Sequence, residues 1–481
     1  MAIKNNITKR SDDYAQWYLD IIEAADLAEH SPVKGCMTIK PYGYAIWENI
    51  QHILDSKFKE TGVENAYFPI FIPESFLKKE ADHIEGFAPE VAVVTYAGGK
   101  KLEENLVIRP TSETIIGEAF SRWIKSHRDL PLLINQWANA VRWELRTRFF
   151  LRTSEFLWQE GHTAHATEED AEAKTMQMLH VYQSFVEEYL AISVIPGRKS
   201  ENEKFAGTVR TYTIEAMMQD GKALQSGTSH MLGQNFAKAF DIQFSDENNE
   251  LQYVWQTSWG LSTRIIGGLI MSHSDDNGLV LPPRIAPISV VIVPILSGNE
   301  KEDKDICAKA EEIKKNLGNI EGIHSIRIDM GEDRPGEKFF LWEKKGVPVR
   351  IEIGKKDIQN GSVVLYRRDT KEKTTVNMDN IVTVVGDTLI DMQQKMYAKS
   401  ISLREDNTVT VATYDEFKKV FGESNKFVSI PWCENPECED RVKEEVKVTT
   451  RCIPFDQEEV ETNCVICGKS AKRKAIFAKS Y

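Results

Sequence analysis

Three prolines fall within seven residues in the run LPPRIAP at 281–287. Each fixes φ and removes a backbone donor, so neither a helix nor a central strand continues through the run, and the chain is expected to divide there. Upstream, Ile46, Ile50, Ile53, Leu54 and Phe58 recur at three- and four-residue steps and stop at Gly62, which predicts a helix over 41–61. A strand-like run over 67–72 contains Pro69, which confines it to an edge or an interface. Thr111-Ser112-Glu113-Thr114 opens a second helix reaching about Ser126. A capping-box-like start at 167–170 opens a third, with Met176, Leu179, Tyr182, Val186 and Tyr189 on one face. Between 205 and 260 strand-like pieces alternate with polar and glycine-rich turns, and another helix is expected near Leu261.

Downstream the pattern changes. ISVVIVPIL, a helix carrying Ile306, Ala310, Ile313 and Leu317, SIRIDM, a helix around 339–345, VPVRIEIG and SVVLYRRD follow in turn. Strands alternating with helices predict a compact α/β unit with largely parallel pairing. A long helix near 378–398 then leads into a cysteine-rich tail, and no internal repeat or low-complexity segment interrupts the chain.

Acidic residues outnumber basic ones by 73 to 60, a formal charge of −13. That balance favours solubility and argues against a general nucleic-acid coat, while leaving room for a local basic patch. No apolar stretch is long enough to span a bilayer, and the first residues lack the apolar core of a signal peptide. A cytoplasmic protein without membrane association is expected.

The chemistry concentrates in RWELRTRFFLRTSEFLWQEGH at 142–162. Arg142, Arg146, Arg148 and Arg152 precede Phe156, Trp158, Glu160 and His162. Planar guanidiniums suit a polyphosphate, and aromatics beside a carboxylate suit a small, partly apolar cation. A site with both can bring a nucleotide and an amino acid together. A distant Arg264, in SWGLSTRIIGG, would let two arginines clamp opposite ends of a triphosphate. Taken singly, each arginine is better explained by an ion pair with a surface carboxylate. Thr111, Ser112 and Glu113 read equally as a helix cap and as a ligand-holding helix start. Gln225-Ser226-Gly227-Thr228-Ser229-His230 offers small residues and directional donors, or a plain turn.

Seven cysteines are present. Cys36 and Cys307 stand alone as packed thiols. Cys433 and Cys438 flank a turn containing Pro436, and Cys464 and Cys467 precede Gly468. Two such knuckles supply the four thiolates of a closed, structural zinc site. An iron–sulfur cluster would use the same ligands, and two disulfides are disfavoured in a reducing compartment. Cys452 lies outside both pairs as a spare thiol.

Together, TSE at 111–113, RWE at 142–144, FLRTSEFLWQEGH at 150–162, QSGTSHMLGQNF at 225–236 and SWGLSTR at 258–264 resemble prolyl-tRNA synthetase. The resemblance is to the archaeal/eukaryotic-like group and covers nearly the whole chain. It implies an α+β multidomain fold: a class II catalytic domain on an antiparallel sheet at 1–285, an α/β anticodon-binding domain at 286–400 and a small α+β zinc-binding domain at 401–481. Pro69 matches the motif 1 proline of a homodimer interface. Arg142 and Arg264 match the catalytic arginines of motifs 2 and 3. Thr111, Glu113, Arg142, Trp158, Glu160, His162 and His230 fall at the family's proline site, with Phe156 or Trp158 packing on the pyrrolidine ring. Arg142, Arg152, Thr153, Gln225, Thr228, Ser262 and Arg264 fall at its ATP site, Ser262 replacing a threonine of some relatives.

The resemblance further implies L-proline, ATP and tRNA(Pro) as partners, Mg2+ with the ATP and a structural Zn2+. Glu343, Arg350 and Lys356 match positions that read anticodon guanines; without the resemblance they would be a solvated charged face. Tyr481 is expected to fold back towards the active site, and no editing domain is expected within 163–224. An inactive synthetase-like module, a zinc-dependent RNA-binding scaffold and a threonyl enzyme with a catalytic zinc are the alternatives.

Overall fold

The computed structural model describes residues 6–77, 91–318, 320 and 325–481. α1 (Tyr14–Ala24) is capped by Asp13, whose carboxylate accepts from the amides of Ala15 and Gln16. α2 (Pro41–Glu60) carries its proline in the first turn, where no intrahelical donor is lost, and buries the predicted stripe of Ile46, Ile50, Ile53, Leu54 and Phe58. The single strand expected over 67–72 does not form. β1 (Glu64–Asn65) and β2 (Phe71–Pro73) belong to different sheets, and Pro69, with no amide to donate, sits between them. β2 pairs with β4 (Lys100–Ile108), which also pairs with β3 (Ala92–Ala97).

The helix predicted to reach Ser126 is α3 (Glu113–Trp123) and stops earlier, because Ile124 adopts extended backbone. β5 (Leu132–Val141) and β6 (Glu155–His165) pair antiparallel. α4 (Glu168–Glu188) is capped by Thr167, and buries Leu179, Tyr182 and Val186 as expected, but Met178 and Phe185 in place of the half-buried Met176 and Tyr189. β7 (Val194–Arg198), β8 (Arg210–Met217), β9 (Ala223–Gly233) and β10 (Trp255–Ser262) complete the body of the sheet. The stretch 225–230, which allowed a turn, is the middle of β9. The helix expected near Leu261 is α5 (Arg264–His273), since Leu261 and Ser262 still belong to β10.

The proline run is not an exposed tether. Leu281, Ile285 and Ala286 are fully buried in the same core as α1 and α2, and Asn49 of α2 donates to the Ile285 carbonyl at 3.1 Å. Beyond it come β11 (Val290–Ile295), α6 (Glu300–Leu317), β12 (Ile326–Ile328), α7 (Pro335–Lys344), β13 (Val349–Gly354), α8 (Lys355–Asn360), β14 (Ser362–Arg367), β15 (Lys373–Asn377) and α9 (Ile381–Asp406). The strand order is β12-β11-β13-β14-β15. Pairing is parallel around β11 and antiparallel from β13 to β15, so the expectation of largely parallel pairing holds for half the sheet. The connections after β13 and β14 are too short for a parallel crossover, which needs a dozen or more residues. α9 runs past 398 to Asp406, so the boundary expected at 400/401 falls inside a helix.

The tail comprises β16 (Thr408–Thr410), α10 (Tyr414–Glu423), β17 (Phe427–Trp432), α11 (Pro436–Val446), β18 (Thr449–Pro454) and β19 (Arg473–Ala478). Its strands continue the large antiparallel sheet. Among the described residues the order is β16-β17-β19-β18-β7-β8-β9-β10-β6-β5-β1, joined where Ile453 and Pro454 pair with Arg198 and Gly197. A Cβ on Gly197 would lie 2.5 Å from the Ile453 carbonyl oxygen, so glycine permits that join.

Gly161, on β6, faces Trp259 across β10; a Cβ there would fall 1.9 Å from a ring atom of this fully buried indole. Overpacking of a rigid core costs about 1–3 kcal/mol. G161A is expected to lower the melting temperature measured by circular dichroism, whereas G422A, on the exposed side of α10 with nothing within 4 Å of the added Cβ, is not.

Candidate active site

Side-chain alternation along β6 carries Phe156, Trp158, Glu160 and His162 to one face of the sheet. Across the sheet, Glu160 stands opposite Gly260, His162 opposite Ser258, and His230 opposite Ser258 from the other side. A cavity of about 410 Å3 opens over this face. Thr111, Glu113, Arg142, Arg152, Thr153, Phe156, Trp158, Glu160, His162, Gln225, Thr228, His230, Ser262 and Arg264 all line it, so the residues singled out in the sequence converge on one place. Glu144, Glu203, Phe205, Thr211 and Ser258 line it too. Sequence reading assigned none of these five; only Glu144, in RWE, and Ser258, in SWGLSTR, lay within a noted motif.

One end is acidic and aromatic. Ser112 sits at the N-cap of α3 but makes no capping bond; its hydroxyl donates instead to the buried Glu160 carboxylate, while Thr111 donates to Glu113. Gln136 of β5 donates to the same Glu160 oxygen at 2.6 Å, and His162 Nε2 lies 3.1 Å from the other. Burial alone would depress the His162 imidazole, but the hydrogen bond and charge of Glu160, with the charge of Glu113 beyond, hold it above the ordinary histidine value. His230 has no such partner at hydrogen-bond distance. Its Nδ1 meets Thr211 Oγ1 at 3.0 Å, and burial pulls its value down to about 4, so its ring is neutral near pH 7.

The other end is cationic. Arg142 donates to the Pro110 carbonyl at 3.0 Å, with its guanidinium 5.4 Å from the Phe156 ring centroid and 5.6 Å from that of Trp158. Arg264 opens α5 and donates to the Leu151 carbonyl at 3.2 Å. Withdrawal from water, then the like charges of Arg152 and Arg142, lower its value to about 10, which still leaves it charged at neutral pH. Three guanidiniums lining one cavity suit an anion.

Glu343, Arg350 and Lys356 do not line this cavity. Lys356 is exposed on α8, and Glu343, half-buried at the end of α7, accepts from Asn277 at 3.2 Å. Arg350 is buried, gripping Glu352 at 2.8 and 3.1 Å between the rings of Phe339 and Tyr366. It therefore does not belong to a solvated charged face. Tyr481 reaches a neighbouring cavity that shares Leu151 and Thr153 with the first; its hydroxyl donates to Asp220 at 2.6 Å and its amide to the Ala223 carbonyl at 3.1 Å.

The sulfurs of Cys433, Cys438, Cys464 and Cys467 all lie within 4.8 Å of one another, with Cys433 at 3.7 Å from Cys438 and 3.6 Å from Cys467. Disulfides would need about 2.05 Å. Four thiolates around one tetrahedral zinc at about 2.3 Å sit about 3.8 Å apart, so these donors fit a single metal ion better than a larger cluster. Cys452 is buried in β18, outside the set.

Three family profiles match in succession: the tRNA synthetase class II core domain of the G, H, P, S and T enzymes over 95–273, an anticodon binding domain over 289–388 and the prolyl-tRNA synthetase C-terminal domain over 414–481. A proline–tRNA ligase of Phocaeicola vulgatus is 55% identical, covering 100% of both chains. The chain belongs to the prolyl-tRNA synthetases. The proline–tRNA ligase of Chlorobaculum tepidum is 54% identical over 99% of this chain and 100% of its own, and proline–tRNA ligase 2 of Bacillus thuringiensis is 53% identical over 99% and 98%. The antiparallel sheet, the α/β domain and the small tail domain are those of this class II family.

Because the folded value of His162 lies above the ordinary ~6.5, its attraction to Glu160 stabilises the protein fully below that pH and is lost as pH rises through the folded value. In an imidazole NMR titration His162 is expected to lose its proton above pH ~6.5, and His230 to stay neutral until about pH 4. E160Q should bring the His162 value down; an unchanged titration would remove Glu160 as the cause.

Proposed function

We propose that this cavity carries out both steps of attaching L-proline to tRNA(Pro), with ATP as the energy source. The convergence of Glu113, Arg142 and Arg264 on one cavity supports the reading. Glu113 accepts from the secondary ammonium of proline, and the faces of Phe156 and Trp158 pack against its ring. Glu160, His162, Thr111 and His230 complete the pocket. Arg142 holds the α-phosphate beside the proline carboxylate, Arg264 holds the γ-phosphate, and Arg152, Thr153, Gln225, Thr228 and Ser262 bind the rest of the nucleotide.

A carboxylate oxygen of proline attacks the α-phosphorus, the bond to the β-phosphate breaks, and pyrophosphate leaves from prolyl-adenylate. The terminal ribose hydroxyl of tRNA(Pro) then attacks the activated carbonyl and releases AMP. Positioning and fixed positive charge carry the first step, because the guanidiniums are already oriented where charge develops. Mg2+ bound with ATP offsets phosphate charge.

We assign the chain to the archaeal/eukaryotic-like group, with Zn2+ on the four tail cysteines and domain junctions at 285/286 and at the end of α9 rather than at 400/401. Glu343 and Lys356 read anticodon guanines, with Arg350 supporting that surface through Glu352. The edge around Pro69, where Tyr67 and Phe71 are exposed, joins two copies into a homodimer. No helix among the described residues is long and apolar enough to cross a membrane, and the cytoplasm, where tRNA is charged, is the proposed location. Among the described residues the tail cysteines are the one metal-type cluster, which disfavours the threonyl alternative. The loss of Glu113, Arg142 or Arg264 that an inactive module or a scaffold would tolerate is not observed.

ATP–pyrophosphate exchange should depend on proline, and R142A should slow it by roughly 10²–10³-fold; exchange equal to a blank without amino acid would overturn the reading. C464S should reduce zinc measured by inductively coupled plasma mass spectrometry. Unchanged metal content would remove Cys464 from the ligand set.

A further inference from the structure

The tail grips the segment 198–202 at three points. Arg198 donates to Glu434, Ser200 Oγ donates to Glu439 Oε1 at 2.8 Å, and Asn202 donates to Asp440 at 3.2 Å. Glu434 directly follows Cys433; Glu439 directly follows Cys438, with Asp440 next. The knuckle that offers two metal thiolates is thus also the knuckle that holds this segment. Ser200 and Glu439 are 2% and 3% exposed, so their hydrogen bond forms away from water, where losing a partner is costly.

The same segment runs into the cavity wall. Ser200 Oγ accepts from the Glu203 amide at 3.2 Å, and the Ser200 carbonyl accepts from the Lys204 amide at 3.0 Å. Glu203 and Phe205 line the cavity, and the Phe205 ring lies 4.8 Å from that of His230. One hydroxyl therefore joins the tail on one side to the cavity wall on the other. Between the grips, Lys199 donates to Glu215 at 2.9 Å, and Arg451 of the tail donates to the other Glu215 oxygen at 2.9 and 3.1 Å. That buried group fixes the base of the segment.

Resting on the proline-site reading above, we propose that Glu439 is a positioning residue for amino-acid binding. Through Ser200 it holds Glu203 and Phe205 against the pocket, and the metal site that fixes Cys433 and Cys438 fixes Glu439 in turn. The tail metal supports substrate binding from outside the cavity. Residues around metal ligands commonly orient what lies next to them, and small displacements of a positioned wall weaken binding.

The test uses the full-length, metal-loaded chain in proline-dependent ATP–pyrophosphate exchange. S200A and E439A are each expected to raise the KM for proline roughly three- to tenfold, the loss of about one buried hydrogen bond, with kcat and the KM for ATP near wild type. S200T, which keeps the hydroxyl, should restore proline binding, and S200A/E439A should be no worse than the weaker single variant. Amide hydrogen exchange supplies a second readout. Stripping the metal from the wild type with a chelator should speed exchange at 203–205 as E439A does, while α6 stays unchanged. An unaltered proline KM in both single variants, additive effects in the double variant, or unchanged exchange at 203–205 after stripping would overturn the proposal. A fall in kcat with a rise in both KM values and a lowered melting temperature would show a purely structural role and overturn it as well. If the wild type itself shows no proline dependence, the functional reading fails, and the hydrogen-exchange arm still decides the link between metal and wall.

Discussion

The carboxylate of Glu160 lies almost wholly out of water, and three side chains from three different elements hold it there. Ser112 comes from the start of α3, Gln136 from β5 and His162 from β6 itself. A buried carboxylate without such partners would be expensive, so the helix start, the neighbouring strand and the histidine are constrained together. Gln136 extends the network outward by accepting from the amide of Phe68, beside Pro69. The floor of the cavity and the sheet edge near Pro69 are therefore parts of one hydrogen-bonded unit.

Charge is distributed with the opposite logic at the other end. Arg142, Arg152 and Arg264 face a shared space, and burial together with the charges of Arg152 and Arg142 lowers Arg264 below the ordinary arginine value. Hydrogen bonds to the Pro110 and Leu151 carbonyls orient Arg142 and Arg264, and Glu144 lies 3.7 Å from Arg152. Guanidiniums gathered on one wall of a cavity suit an anion.

The tail domain belongs to the same mechanical body. Its strands extend the catalytic sheet through β18 and β7, and the contact is close enough to require glycine at 197. Glu215, fully buried, takes Lys199 from the core and Arg451 from the tail, so separating the two domains would break the Glu215–Arg451 pair and leave Lys199 as its only cation. A domain attached in this way is not a passenger on a flexible linker. The buried proline run at 281–287 makes the same point for the junction to the α/β domain.

The residue types and local patterns determined much by themselves. The apolar stripe of α2, the four paired cysteines, and the arginine-rich and aromatic motifs that line the cavity were legible because period, spacing and side-chain chemistry are local properties. Other features depended on what lay opposite in space. Whether 225–230 was a turn or a strand was decided by its pairing with β8 and β10. Ser112 served Glu160 instead of capping its helix because a buried carboxylate lay within reach. Arg350 left the solvated face because Glu352 and two aromatic rings enclosed it. Glu203 and Phe205 carried no motif, and only the fold of the segment after Ser200 brought them to the cavity. Local sequence determined which groups were available; tertiary contacts between distant segments decided their partners, because burial and hydrogen bonding depend on neighbours that spacing along the chain does not specify.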